Sequence, residues 1–174
     1  MARNALGWLV ATDPEMFARF KQQIDGLKVH RDPIEGPSLK KPLLLLLVIS
    51  RISRGLLRDN RIRFVDVEQE LAALIREFGW RTLGAGPSPE QPFERLASSP
   101  IWRLQVAGGA SRGLGKALPR AVLRDAGTHA SLEEKTFSWL QSSPDARAQA
   151  SRVLLERWCP ADRHDAIRAR LGLP

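Results

Sequence analysis

Apolar residues recur at helical spacing along much of this chain, first as Phe17, Phe20, Ile24 and Leu27 behind the start signal Thr12-Asp13-Pro14-Glu15. An acidic cap with proline just inside it predicts an amphipathic helix running to about Gly26. The next strong segment abandons amphipathicity. Pro42-Leu43-Leu44-Leu45-Leu46-Leu47-Val48-Ile49 is apolar at every position, which predicts a helix that opens at Pro42, is buried on nearly every side and fades near Gly55. Between the two lie His30, Arg31, Asp32, Pro33, Gly36, Pro37 and Ser38, whose types predict an irregular loop.

Alternation in Arg61-Ile62-Arg63-Phe64-Val65 predicts a short strand, followed by a helix capped by Asp66 and striped by Val67, Leu71, Leu74, Ile75 and Phe78. Gly84, Gly86, Pro87, Ser88 and Pro89 mark a loop, after which Pro92 can open a short helix through Phe93, Arg95 and Leu96. Ile101-Trp102-Arg103-Leu104-Gln105-Val106 is the best strand candidate. Helical signals then run from Leu118 to Asp125, Ser131 to Leu140, Pro144 to Trp158 and Pro160 to Leu171, so the C-terminal third reads as a small helical bundle.

A chain of 174 residues, 43% hydrophobic and without an internal repeat or linker, is expected to form one domain over residues 1–174. Its 27 Lys and Arg outweigh 19 Asp and Glu, for a net charge of +8, and that balance nominates polyanions, nucleic acid first, as partners. The lone Cys159 rules out a disulfide framework, and no apolar run reaches bilayer length, so a soluble, cytoplasmic protein is expected.

Catalytic chemistry finds little support. His30, His129 and His164 are far apart without metal-ligand spacing, and Gly113-Leu114-Gly115-Lys116 lacks both the spacing and the hydroxyl residue of a phosphate loop. Acidic pairs such as Glu68 with Glu70 and Glu133 with Glu134 fall on helix faces expected to be solvated. No cofactor or metal is expected. Charge is more telling: Arg95, Arg103, Arg112, Lys116, Arg120 and Arg124 span thirty residues free of Asp and Glu, a candidate polyanion face. Lys40 and Lys41, at the start of the leucine helix, offer further charge to a phosphate.

The order of phrases is itself informative. Lys41-Pro42 with its leucines, Phe78-Gly79, Pro89-Glu90-Gln91-Pro92-Phe93 with Arg95-Leu96, Ile101-Trp102, and Val153-Leu154-Leu155-Glu156-Arg157-Trp158-Cys159-Pro160 with His164-Asp165-Ala166-Ile167 follow in sequence. From Leu39 to its end the chain resembles the sulfur-binding domain of type IV, modification-dependent restriction endonucleases that recognise phosphorothioated DNA. The resemblance implies a mainly helical α+β fold with a small β hairpin, similar to a winged helix, that docks on duplex DNA and receives the modified phosphate in a shallow apolar pocket. It also implies that cleavage belongs to a separate HNH nuclease domain or subunit, so this chain binds without cutting.

By that resemblance Pro92 matches the pocket proline, Ser88 lies where a neighbouring loop contacts DNA, Lys41 matches the basic residue before the helix proline, and Lys40 stands where histidine is frequent. Gln91 replaces the usual aromatic residue and Arg95 a small or variable one, which makes the expected pocket less apolar. The sulfur site is thus Ser88, Gln91, Pro92 and Arg95, with Arg31, Lys40, Lys41, Arg81, Arg112 and Lys116 as candidate phosphate or base contacts. Two rivals remain open: a winged-helix DNA-binding regulator indifferent to sulfur, and a helical protein-interaction subunit.

Overall fold

The computed structural model describes residues 13–79, 86–109 and 117–174. Helix α1 (Pro14–Asp25) starts as expected, the Asp13 carboxylate accepting the Met16 amide at 3.0 Å. The loop after it contains a small antiparallel hairpin, β1 (Arg31–Asp32) with β2 (Gly36–Pro37), which its turn-forming residues concealed. Helix α2 (Lys40–Ser53) begins two residues earlier than the proline suggests. Pro42 is the third helical residue, where the amide it lacks would have had no intrahelical partner. Both lysines therefore belong to the first turn instead of preceding it.

The strand expected at Arg61–Val65 is reduced to one bridge between Ile62 and Ala130. Helix α3 (Phe64–Phe78) takes over there, with Arg63 at its N-cap and Asp66 inside the first turn. Helix α4 (Glu90–Arg95) likewise starts before its proline. Strand β3 (Trp102–Gln105) forms where alternation placed it; α5 (Arg120–Arg124) is shorter than expected. β4 (His129–Leu132) corrects the helix expected from Ser131. It pairs antiparallel with β3 in the register Trp102 with Leu132 through Gln105 with His129. Because α5 lies between them, the pair is not a simple hairpin.

Helices α6 (Glu134–Ser142), α7 (Pro144–Trp158) and α8 (His164–Leu171) follow. Helix α7 packs on α1, α2 and α6, and α8 packs on α2, so these C-terminal helices share the core with the first half of the chain. Helix α2 is the axis of the core, buried from Pro42 through Ser50. At its far end the buried Ser50 hydroxyl donates to the Leu171 carbonyl at 2.6 Å. Phe93 joins α4 to this core, stacked edge-on against Phe64 at 5.2 Å and Trp102 at 5.5 Å. Among the described residues no helix is long and apolar enough to cross a membrane.

The start of α7 illustrates the local chemistry. Ser143 is 8% exposed, its hydroxyl accepts the Ala146 amide at 3.1 Å, and Pro144 occupies the first helical position. Ser143→Ala should lower stability by about 1–2 kcal/mol in urea titration, since the amide loses a cap that buried water cannot easily replace.

Candidate nucleic-acid interface

The amino ends of α2 and α4 meet. Lys40 Nζ donates to Gln91 Oε1 at 3.2 Å, and Lys41 Nζ donates to the Lys28 carbonyl at 2.6 Å and to Ser98 Oγ at 3.3 Å. Arg95 lies close enough to repel both ammonium groups. Burial holds the Lys40 amine below its ordinary value, aided by Arg95 and opposed by Glu90; burial, Arg95 and Lys28 do the same to Lys41. Four cationic side chains thus converge on one surface.

This arrangement is locally unfavourable. A helix start carries partial positive charge and prefers acids, yet the first turn of α2 has two lysines, no acid and no side-chain cap at Leu39. Each misplaced charge costs about 0.3–1 kcal/mol, and half-burial adds to it. Binding an anion removes the penalty, because helix amides and ammonium groups then face a charge of opposite sign.

The turn leading into α4 is strained. Ser88 has φ +43°, the one positive φ outside glycine among the described residues, and its carbonyl accepts the Gln91 amide at 3.1 Å. Such a conformation costs on the order of 1 kcal/mol in a residue with a side chain. It fixes the direction in which Gln91 leaves the turn. Pro92 is buried, so the groups reaching solvent beside it are the half-buried Gln91 and the exposed Arg95.

Other expected contacts fare differently. Arg31 lies over the Trp158 ring at 5.8 Å, at the root of the hairpin. Arg81, Arg112 and Lys116 fall outside the described residues. The long basic stretch is partly neutralised: Arg124 grips both oxygens of Glu68, and Arg120 pairs with Glu90 at 2.7 Å while also nearing Glu68. The Arg124 hydrogen bond, with the two arginine charges, lowers the Glu68 pKa against the opposing effect of burial. These two arginines therefore close the α3–α4–α5 surface. Lys28, which no sequence motif singled out, joins the cluster through its carbonyl and charge. Burial pushes the Cys159 thiol up to about 12, leaving it inert at neutral pH.

No group of three or more metal-ligating side chains occurs among the described residues. A mainly helical α+β domain with a basic cluster at the start of its central helix has the form of a polyanion-binding module. Within that class the chain belongs to a definite family, for residues 17–174 match the ScoMcrA-like, DNA sulfur-binding domain. The sulfur-binding domain of SprMcrA, solved in complex with phosphorothioated DNA, superposes with a TM-score of 0.71 at 24% identity, covering 90% of this chain and 94% of that one. The corresponding ScoMcrA domain complexed with phosphorothioated DNA gives 0.69 at 22% identity, covering 88% and 95%. In the type IV phosphorothioation-dependent restriction endonuclease ScoMcrA, the likeness scores 0.68 at 21% identity and covers 88% of this chain but 32% of that one. At these identities the superpositions establish a shared fold. No curated protein matches the chain.

Proposed function

We propose that this chain reads DNA modification: it binds duplex DNA and receives a phosphorothioate linkage beside Ser88, Gln91, Pro92 and Arg95, with Lys40 and Lys41 holding phosphate oxygens. Membership in the DNA sulfur-binding domain family supports the ligand. The observation that carries the site is the hydrogen bond from Lys40 to Gln91, which joins the two helix starts into one cationic surface. Arg31, Arg81, Arg112 and Lys116 are proposed as outer contacts to phosphates or bases. We take residues 1–174 as one such domain, winged-helix-like with a C-terminal helical bundle, acting on DNA in the cytoplasm and leaving cleavage to a separate nuclease domain or subunit.

The chemistry rests on a small difference. Sulfur in place of a non-bridging oxygen keeps the charge but is larger, more polarisable and a weaker hydrogen-bond acceptor. Hydrocarbon contact favours sulfur by dispersion, whereas an oxygen in the same place loses water without gaining a donor. The remaining oxygen of the same phosphate can accept from Lys40, Gln91 or Arg95.

Paired duplexes differing only in one sulfur, titrated by fluorescence anisotropy at matched salt, test the reading. The modified duplex should bind roughly 10- to 200-fold more tightly. Equal affinity would sink it, in favour of a DNA binder indifferent to sulfur, a reading favoured by the polar Gln91 and the burial of Pro92. Gln91→Phe replaces a polar wall with an apolar one and should widen the ratio by about tenfold.

A further inference from the structure

The hairpin of β1 and β2 presents two side chains that neither its own turn nor the site above employs. Asp32 Oδ1 accepts the amides of Ile34 at 2.8 Å and Glu35 at 2.9 Å, and Gly36 takes φ +78° where the strands close. Pro33 fixes its own φ. The side chains around Ile34 thus shape the turn, and the Ile34 side chain has no part in it. A β-branched residue is a poor choice for a turn tip, yet this one is 95% exposed. Beside it Glu35 is exposed, with no cationic partner among the described residues.

The hairpin is rooted at the phosphate-binding surface. The Ser38 amide donates to the His30 carbonyl at 2.8 Å, carrying the pairing to within two residues of Lys40. At roughly 3.3 Å per residue the tip stands about 10 Å from that root. The major groove of B-DNA, about 12 Å wide and about 8.5 Å deep, admits a two-stranded ribbon of this reach. A carboxylate near phosphates is repelled by them, so it contributes there only where an N–H donor faces it. Cytosine N4 is such a donor with no acceptor beside it on its own edge; adenine N6 donates too but lies next to the N7 acceptor, and guanine N7 and O6 and thymine O4 are acceptors that would oppose a carboxylate.

We propose, resting on the DNA-binding role argued above, that this tip enters the major groove beside the held phosphate and sets base preference. Glu35 accepts from the exocyclic amine of cytosine, and Ile34 packs on the methyl group of a neighbouring thymine. The phosphate grip fixes where the protein sits; the hairpin decides which sequence it tolerates there.

The test uses the full chain and a library of duplexes with one phosphorothioate linkage and randomised flanking pairs, sequenced after selection. Wild type should enrich cytosine at one flanking position and thymine beside it. Glu35→Gln should erase the cytosine preference, a change of about tenfold, and Ile34→Ser the thymine preference, with the sulfur-to-oxygen ratio retained. Unaltered profiles in both variants overturn the inference. Equal wild-type binding of modified and unmodified duplex instead overturns the reading beneath it. Self-association in sedimentation that Ile34→Ser abolishes would assign the tip to a second copy of the chain and likewise overturn base reading.

Discussion

Replacing Lys40 and Lys41 together by methionine should weaken binding to modified and unmodified duplex alike, by roughly 10- to 100-fold, since in the proposed complex each ammonium group supplies a charge-assisted hydrogen bond to a phosphate. The dependence of log affinity on log salt should flatten by about 2, close to one per phosphate released. Fold stability should hold or rise. Both amines sit half-buried at a helix start beside Arg95, so removing their charge relieves repulsion and desolvation. A thermal melt showing a large loss would instead assign the lysines a structural task.

The pH dependence follows from the same geometry. Both amines have folded pKa values below the ordinary 10.5, so between those values and 10.5 the unfolded chain binds more protons than the folded one. Their destabilising contribution is fully present at neutral pH and is relieved as the pH rises through that window. Affinity for DNA should fall over the same range, since neutral amines no longer attract phosphate. Stability and binding therefore move in opposite directions.

The second large effect is expected at Phe93→Ala. This ring is fully buried and wedged between Phe64 and Trp102, and its carbonyl accepts the Trp102 indole N–H at 2.9 Å. Truncation should cost about 3–5 kcal/mol in urea unfolding, a large share of a typical total of about 5–15 kcal/mol. Phe93→Leu, which keeps most of the volume, should cost roughly 1–2 kcal/mol. Because Gln91 and Pro92 immediately precede it, the alanine variant should also loosen the binding surface, visible as weaker affinity at temperatures where the fold survives.

Periodicity and end signals made the main helices legible: α1 and α7 begin with capped prolines, and the leucine run could only be a buried helix. β4 was hidden because Ser131-Leu132-Glu133-Glu134 has the types of a helix start, and only pairing with Trp102–Gln105 makes it a strand. The hairpin was hidden because two-residue strands have no period. Charge misled in one respect. Arg120 and Arg124 looked available in sequence, but their carboxylates sit 30 and 56 residues away, a distance no local pattern bridges. The phrases around Lys41-Pro42 and Gln91-Pro92 were legible as a resemblance, whereas their meeting through Lys40 and Gln91 required the tertiary structure.

Pro42 and Pro92 are each the third residue of their helix and each is buried, while Lys40, Lys41 and Gln91 just ahead of them lie half-buried where the two helix starts meet. Scaffold and fingertips are thus separate inheritances. Exchanging residues 40, 41 and 91 can retune which backbone chemistry is tolerated with little disturbance of the interior, so this architecture lets recognition diversify faster than the body that carries it.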